Sequence, residues 1–216
     1  MRKSHVTSFG MPGLGAAPYG LHMCHFYPKR QELIDGLVPY FEAGIDNNEY
    51  CIWVASSPLP AQDALIEISK SAKLMQATTS GQLRVFDAIE WYGKPETLDA
   101  EATIKRLLDE EQSALADGYQ GLRVTGNASF IPRGNWAQLI EFERKLHDRI
   151  KDRRIIACCS YSREQCGSVE VMEVVRCHHG SLDRTDDHWD LFLEMSNDDG
   201  PKPTAKDEAA GPTATA

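Results

Sequence analysis

The sequence predicts an α/β fold, a mostly parallel sheet covered by helices on both faces. Three observations carry this expectation. Short apolar runs alternate with amphipathic stretches along most of the chain, as strands and crossover helices do in parallel sheets. The run Tyr50–Ala55 (Tyr-Cys-Ile-Trp-Val-Ala) is apolar on both faces, as a central strand should be. The run Leu21–Tyr27 passes into an amphipathic helix near Gln31 through the short turn Tyr27-Pro28-Lys29-Arg30.

Each element has its own signal. Residues 1–18 are rich in Gly, Pro and Ser and read as an irregular lead-in to a single domain over 19–195. After the strand Leu21–Tyr27, the helix Gln31–Ala43 sets Leu33, Ile34, Leu37, Val38 and Phe41 on one face, with Gly44 as its C-cap. The strand Tyr50–Ala55 leads through Ser56-Ser57-Pro58 to a helix from about Ala61 to Leu74. Leu83–Asp87 is a third strand, and Leu98–Asp117 a long helix with Leu107, Leu108 and Leu115 inward.

Leu122–Thr125 stops at Gly126-Asn127, and the helix Trp136–Ile150 aligns Trp136, Leu139, Ile140, Glu143, Leu146 and Ile150 on one stripe. Arg154–Tyr161 is a strand, Val169–Cys177 a helix and His188–Glu194 a last strand at the sheet edge. From residue 196 to 216 the chain is Pro, Ala, Thr, Gly and charge without apolar periodicity, a disordered tail.

Composition narrows the function classes. The 216 residues, 42% hydrophobic, suffice for one sizeable core. A formal charge of −9 speaks against direct nucleic-acid binding, which needs clustered Lys and Arg. No apolar run approaches a membrane span, and the N-terminus lacks a signal-peptide core, so a cytoplasmic protein with no membrane partner is expected. Its six cysteines are then thiols rather than disulfides, and no Cys-x-x-Cys framework is present. The strand-to-helix turn at Tyr27 holds no glycine and no Gly-Lys-Ser/Thr, so the phosphate cradle of a nucleoside triphosphatase is missing and no ATP is expected.

Ligands in open parallel sheets bind at the carboxyl ends of the strands. Those ends present His25 and Tyr27, Ser56 and Ser57, Asp87 with Trp91 and Tyr92 beyond it, Asn127, then Cys159, Ser160 and Tyr161. His178 and His179 follow the next helix. Aromatic, amide, imidazole and thiol groups suit an enclosed pocket for a modest organic ligand.

Alternation on the first strand puts His22, Cys24 and Phe26 on one face and Met23, His25 and Tyr27 on the other. His22 and Cys24 could chelate one metal, zinc or copper, with Cys177, His178 or His179 completing the set; the simpler reading is that they pack in the core. Adjacent Cys158 and Cys159 must face different layers. Glu143 lies on an apolar stripe and needs a partner; Arg123, on the preceding strand, is the candidate, as a structural or a ligand-orienting ion pair.

Taken together, Gly20-Leu21-His22-Met23-Cys24-His25-Phe26-Tyr27, Leu37-Val38-Pro39-Tyr40-Phe41-Glu42-Ala43-Gly44, Asn48-Glu49-Tyr50-Cys51-Ile52-Trp53-Val54 and Gly118-Tyr119-Gln120-Gly121-Leu122-Arg123 resemble the MEDS domain. This is the methanogen/methylotroph DcmR-type sensory domain. The likeness continues through Trp136, Phe142-Glu143, Cys159-Ser160-Tyr161 and Val174-Val175-Arg176-Cys177-His178.

The resemblance implies a RecA-like three-layer sandwich lacking its phosphate loop, and a prokaryotic input domain for simple hydrocarbon derivatives. It places His22, Cys24, Tyr27, Arg123, Glu143, Cys159, Tyr161 and His178 on the family's characteristic positions. The expected function is sensing of a small organic molecule, directly or through a detector cofactor such as haem, flavin or a metal, rather than catalysis. No helix-turn-helix or kinase module is read in the chain, so output is expected through a separate kinase or transcription regulator. The edge near Trp189–Phe192 would suit a homodimer. The alternative is a metalloprotein or enzyme using the His and Cys residues, or a thiol redox switch.

Overall fold

The computed structural model describes residues 6–186 and 188–193. The first elements are a small antiparallel hairpin, β1 (Val6–Ser8) and β2 (Ala16–Pro18). The expected irregular lead-in is therefore partly ordered: Phe9 and Met11, in the loop between the two strands, are each 1% exposed. Glycine and proline content concealed two apolar anchors.

The main sheet holds β3 (Leu21–Tyr27), β4 (Tyr50–Ala55), β5 (Leu83–Asp87), β6 (Leu122–Asn127), β7 (Ile155–Ser162), β8 (Gly180–Thr185) and β9 (His188–Leu193). Their order is β5-β4-β6-β7-β3-β8-β9, parallel throughout except for the antiparallel β8–β9 pair. β3 and β4 are buried at every residue, which is why their sequences show no polar face.

The helices are α1 (Arg30–Asp46), α2 (Ala61–Ser69), α3 (Ala72–Ser80), α4 (Ala88–Tyr92), α5 (Ala100–Ala116), α6 (Trp136–Ile150) and α7 (Ser168–Val175). One face of the sheet packs against α1, α2, α3 and the hairpin loop, the other against α4, α5, α6 and α7. The result is the three-layer α/β sandwich that the sequence predicts.

Some details differ from expectation. The single helix over Ala61–Leu74 breaks at Lys70, and the Ser71 hydroxyl accepts from Leu74 N at 3.4 Å to start α3. Gly44 does not end its helix: it lies inside α1, where an added Cβ would meet Arg123 Cδ and Cys51 Sγ at 2.8 Å. Strand β8 was not expected, because Ser181, Asp183 and Arg184 interrupt its apolar pattern. Glu194, residues 1–5 and the segment 196–216 expected to be disordered lie outside the described residues.

β3 and β7 are neighbours, yet α1 leaves β3 toward one face and α7 leaves β7 toward the other. That divergence is where an open α/β sheet forms a crevice. Cys158 and Cys159 do face opposite layers, as alternation requires, and all six cysteines are free thiols.

Candidate functional site

The chemistry-bearing residues converge beneath α6, on the sheet face shared with α7. β3 supplies His22, β7 supplies Cys159, the turn after α7 supplies His178, and α6 lowers Glu143 onto them from its buried stripe of Leu139, Ile140, Phe142, Leu146 and Ile150. His22 Nε2 stands 3.3 Å from Glu143 Oε2 and 3.4 Å from Cys159 Sγ. Cys159 Sγ is 3.7 Å and His178 Nε2 3.8 Å from the same carboxylate oxygen. The other carboxylate oxygen, Oε1, accepts a hydrogen bond from the Tyr161 hydroxyl at 2.6 Å.

Burial sets the protonation states. Desolvation, then the neighbouring His147 and His179, hold His22 well below the ordinary imidazole range. Desolvation, then His22, lower His178 to about 3. Both imidazoles are therefore neutral at pH 7. Burial, followed by the charge of Glu143, pushes the Cys159 thiol well up, and burial raises Glu143 itself against the opposing pull of His178 and Tyr161.

The His178 tautomer follows from geometry. Its Nδ1 lies 2.7 Å from the Val174 carbonyl, which can only accept, so Nδ1 carries the proton and Nε2 a lone pair. That Nε2 is buried without a hydrogen-bond partner, as is His22 Nδ1. The rings of His178 and His22 lie 3.9 Å apart; His22 and His147 are 5.9 Å apart, and His147 and His179 4.2 Å.

Next to the cluster is a small chamber of about 10 Å³, lined by Tyr92, Leu98, Asn127, Phe130, Phe142, Glu143 and Cys159 among others. A second void of about 20 Å³ adjoins it across Tyr92, Phe142 and Cys159. Each is of the size that holds about one water. The Tyr92 ring stacks on Phe130 at 5.2 Å and 14°, joining α4 to the turn after β6.

Five of the sequence-predicted site residues (His22, Glu143, Cys159, Tyr161 and His178) therefore meet in the cluster, and Tyr92 and Asn127 line the adjoining chamber. Cys24 is buried on the same face, but its Sγ donates to the Gly180 carbonyl at 3.5 Å. Cys177 Sγ donates to the Glu173 carbonyl at 3.2 Å. Of the residues considered for a metal with His22, the structure brings His178 to the cluster together with Glu143 and Cys159, while Cys24 and Cys177 bond to backbone carbonyls.

Other residues lie elsewhere. Arg123 does not reach Glu143; it sits on the opposite sheet face, where its Nε donates to Glu49 Oε2 at 2.5 Å. His25 is on that face too, 5.0 Å from Trp189 ring to ring and 3.5 Å from Glu32 Oε1. Asp87 is exposed and accepts from Ile89 N to cap α4. The chemistry also departs from the strand ends: His22 is the second residue of β3, so the cluster lies under α6 rather than at the open crevice.

At the crevice itself, Tyr27 donates to Asn127 Oδ1 at 3.3 Å beside Ser56 and Ser129. An open groove of about 340 Å³ lies there, bounded by Tyr27, Lys29, Arg30, Ser57, Ser129 and Glu164. It occupies the position where a phosphate loop would sit, without glycines to bring backbone N–H groups close. Sequence reasoning missed Glu49, Phe130, Phe142 and His147. His147 was within reach, being one helical turn beyond Glu143 on the same stripe.

Comparison with known proteins agrees with this architecture. The fold is similar to that of a KaiC-like protein from the hyperthermophilic archaeon Pyrococcus horikoshii, with a TM-score of 0.58 and 10% sequence identity, covering 89% of this chain and 93% of that one. The sandwich is thus RecA-like. No curated protein matches the chain in sequence. Residues 21–179 match the MEDS family, described as the methanogen/methylotroph, DcmR sensory domain, and the chain belongs to that family.

Proposed function

We propose that this protein is a sensory input domain that admits a small, mostly apolar organic molecule to the chamber between α6 and the sheet. The observation that carries the reading is the wall of that chamber. Apolar Leu98, Phe130, Ile131, Leu139 and Phe142 surround three polar side chains, Asn127, Glu143 and Cys159, the mixture typical of a small-molecule site. Membership of a family named for sensing supports it.

At about 10 Å³ the chamber has room for about one water, so a larger ligand needs it to widen, for which the Tyr92–Phe130 stack would part. A ligand that binds only the parted form shifts the population toward it, and only that difference in affinity can move the equilibrium. The segments that would move are Ala88–Tyr92 and the turn after Asn127, both at the molecular surface where a separate kinase or transcription regulator could read them. Six free thiols fit a reducing compartment. Among the described residues no helix is long and apolar enough to cross a membrane.

The test is a thermal-shift screen of short alcohols, halomethanes, flavins and haem against the purified chain, with ATP as comparison. Stabilisation by one apolar class, lost when Phe142→Trp fills the chamber, supports the proposal. Stabilisation by ATP alone, or by none of these classes, overturns it.

A further inference from the structure

We infer that His22, His178, Cys159 and Glu143 form a zinc site, holding the ion through two imidazole Nε2 atoms, one thiolate and one carboxylate oxygen. The inference does not depend on the chamber taking an organic ligand. It rests first on distance. The four ligand atoms lie within 4.8 Å of one another, and the separations among them include 3.3, 3.4, 3.7 and 3.8 Å. Four tetrahedral bonds of about 2.0–2.3 Å place ligand atoms about 3.3–3.8 Å apart. Rotation of the His22 and His178 rings out of their 31° near-stack would aim both lone pairs at one point.

Second, two of the outer atoms, one on His178 and one on Glu143, are already held. Val174 O fixes His178 through Nδ1, and the Tyr161 hydroxyl fixes Glu143 through Oε1, so that His178 Nε2 and Glu143 Oε2 face the other ligand atoms. Partners of this kind orient metal ligands and set their tautomers. Third, a purely hydrogen-bonded cluster leaves His178 Nε2 buried and unsatisfied, whereas a cation would use its lone pair.

Charge balance points to a divalent ion. On binding, Cys159 gives up its thiol proton to solvent, and Glu143 binds as the carboxylate. One thiolate and one carboxylate then neutralise one M²⁺, so the buried centre carries no net charge. Two nitrogens and a sulfur exclude magnesium and calcium, which prefer oxygen, and favour zinc. Glu143 and Cys159 also line the chamber, so the ion would stand at its inner wall.

The experiment uses the full chain, purified without a polyhistidine tag, stripped with chelator and reloaded with zinc or cobalt(II). The expected results are one ion per chain, and for cobalt a tetrahedral ligand-field spectrum with a thiolate charge-transfer band. Cys159→Ser should lose that band, while Cys24→Ala and Cys177→Ala keep it. Should Cys159→Ser fail to fold, X-ray absorption on the wild-type zinc protein decides: one sulfur at about 2.3 Å with nitrogen and oxygen at about 2.0–2.2 Å supports the site. No stoichiometric uptake by folded protein, two or more sulfur ligands, or a band unchanged in Cys159→Ser overturns it.

Discussion

Arg123 donates from Nε to Glu49 Oε2 at 2.5 Å, and both side chains are fully buried. The rest of the guanidinium is spent mainly on backbone: Nη1 donates to the carbonyls of Phe9 and Tyr40 at 3.0 Å, and Nη2 to that of Ser8 at 2.7 Å and to Thr7 Oγ1 at 3.4 Å. One side chain on β6 therefore ties the N-terminal hairpin to α1 and the sheet. This is a structural role, distinct from the cluster on the other face.

Removing the carboxylate should leave a buried cation without its counter-charge. Glu49→Ala is expected to cost about 3–5 kcal/mol in urea unfolding, since breaking one half of a buried pair is worse than replacing both. Hydrogen exchange at residues 7–10 should rise in the same variant. A loss below about 1 kcal/mol would show that Arg123 is satisfied by the carbonyls alone.

The Tyr92–Phe130 stack gives a second prediction. An added Cβ at Gly126 would collide with the Tyr92 hydroxyl, so Gly126→Ala must displace that ring. The expected cost is about 1–3 kcal/mol, as for overpacking elsewhere. Tyr92→Ala removes the ring instead, merging the two small voids; it should cost about 3 kcal/mol and allow benzene or xenon to bind, measured by NMR or calorimetry. A Tyr92→Ala protein that remains impermeable to such probes would show that another group closes the chamber.

Both pairings bear on how much could be read from the sequence. The sheet was legible because β3, β4 and β7 are buried on both faces and so carry largely apolar runs without a charged residue. Glu143 was legible as a carboxylate on a buried stripe, but its partner was misassigned. Alternation along β6 puts Leu122 and Val124 under α6, and so sends Arg123 to the other side. The metal-type set was half legible. That Cys159 rather than Cys177 joins His22 depends on β7 lying beside β3, a long-range pairing that no local pattern encodes. β8 was missed because its pattern is half polar, and Asp87 was over-read, because a strand-ending aspartate also serves as an ordinary helix cap.

His25 yields a pH prediction on the face away from the cluster. Burial holds its imidazole below the ordinary value, with Glu32 and Asp183 opposing that shift and Arg163 reinforcing it. An unfolded histidine takes up its proton near pH 6.5, while the folded one stays neutral. The unfolded state then binds more protons, so this contribution is full above pH 6.5 and is lost as pH falls through 6.5 toward the folded value. Urea unfolding at pH 7, 6 and 5 should show the wild type losing stability more steeply than His25→Gln, by up to about 1.4 kcal/mol per pH unit. Parallel slopes would mean that His25 titrates alike in both states.

The thiols supply the last prediction and separate a redox switch from a buried site. Five of the six cysteines are buried, and Cys166 alone is partly accessible. Burial raises every one of them: Cys158 to about 12, Cys166 to about 11, and Cys24 and Cys159 well above the ordinary thiol range. Only thiolate attacks an alkylating or disulfide reagent, so neither exposure nor charge state favours reaction in the native chain. With metal removed and the fold intact, a disulfide reagent at pH 7 should modify Cys166 slowly and the other five only after denaturant is added. Mass spectrometry of the labelled peptides reads this directly. Rapid native labelling at Cys159 or Cys24 would instead reveal an opening of the α6 layer that exposes a lowered-pKa thiol, and would put a redox switch ahead of a ligand chamber.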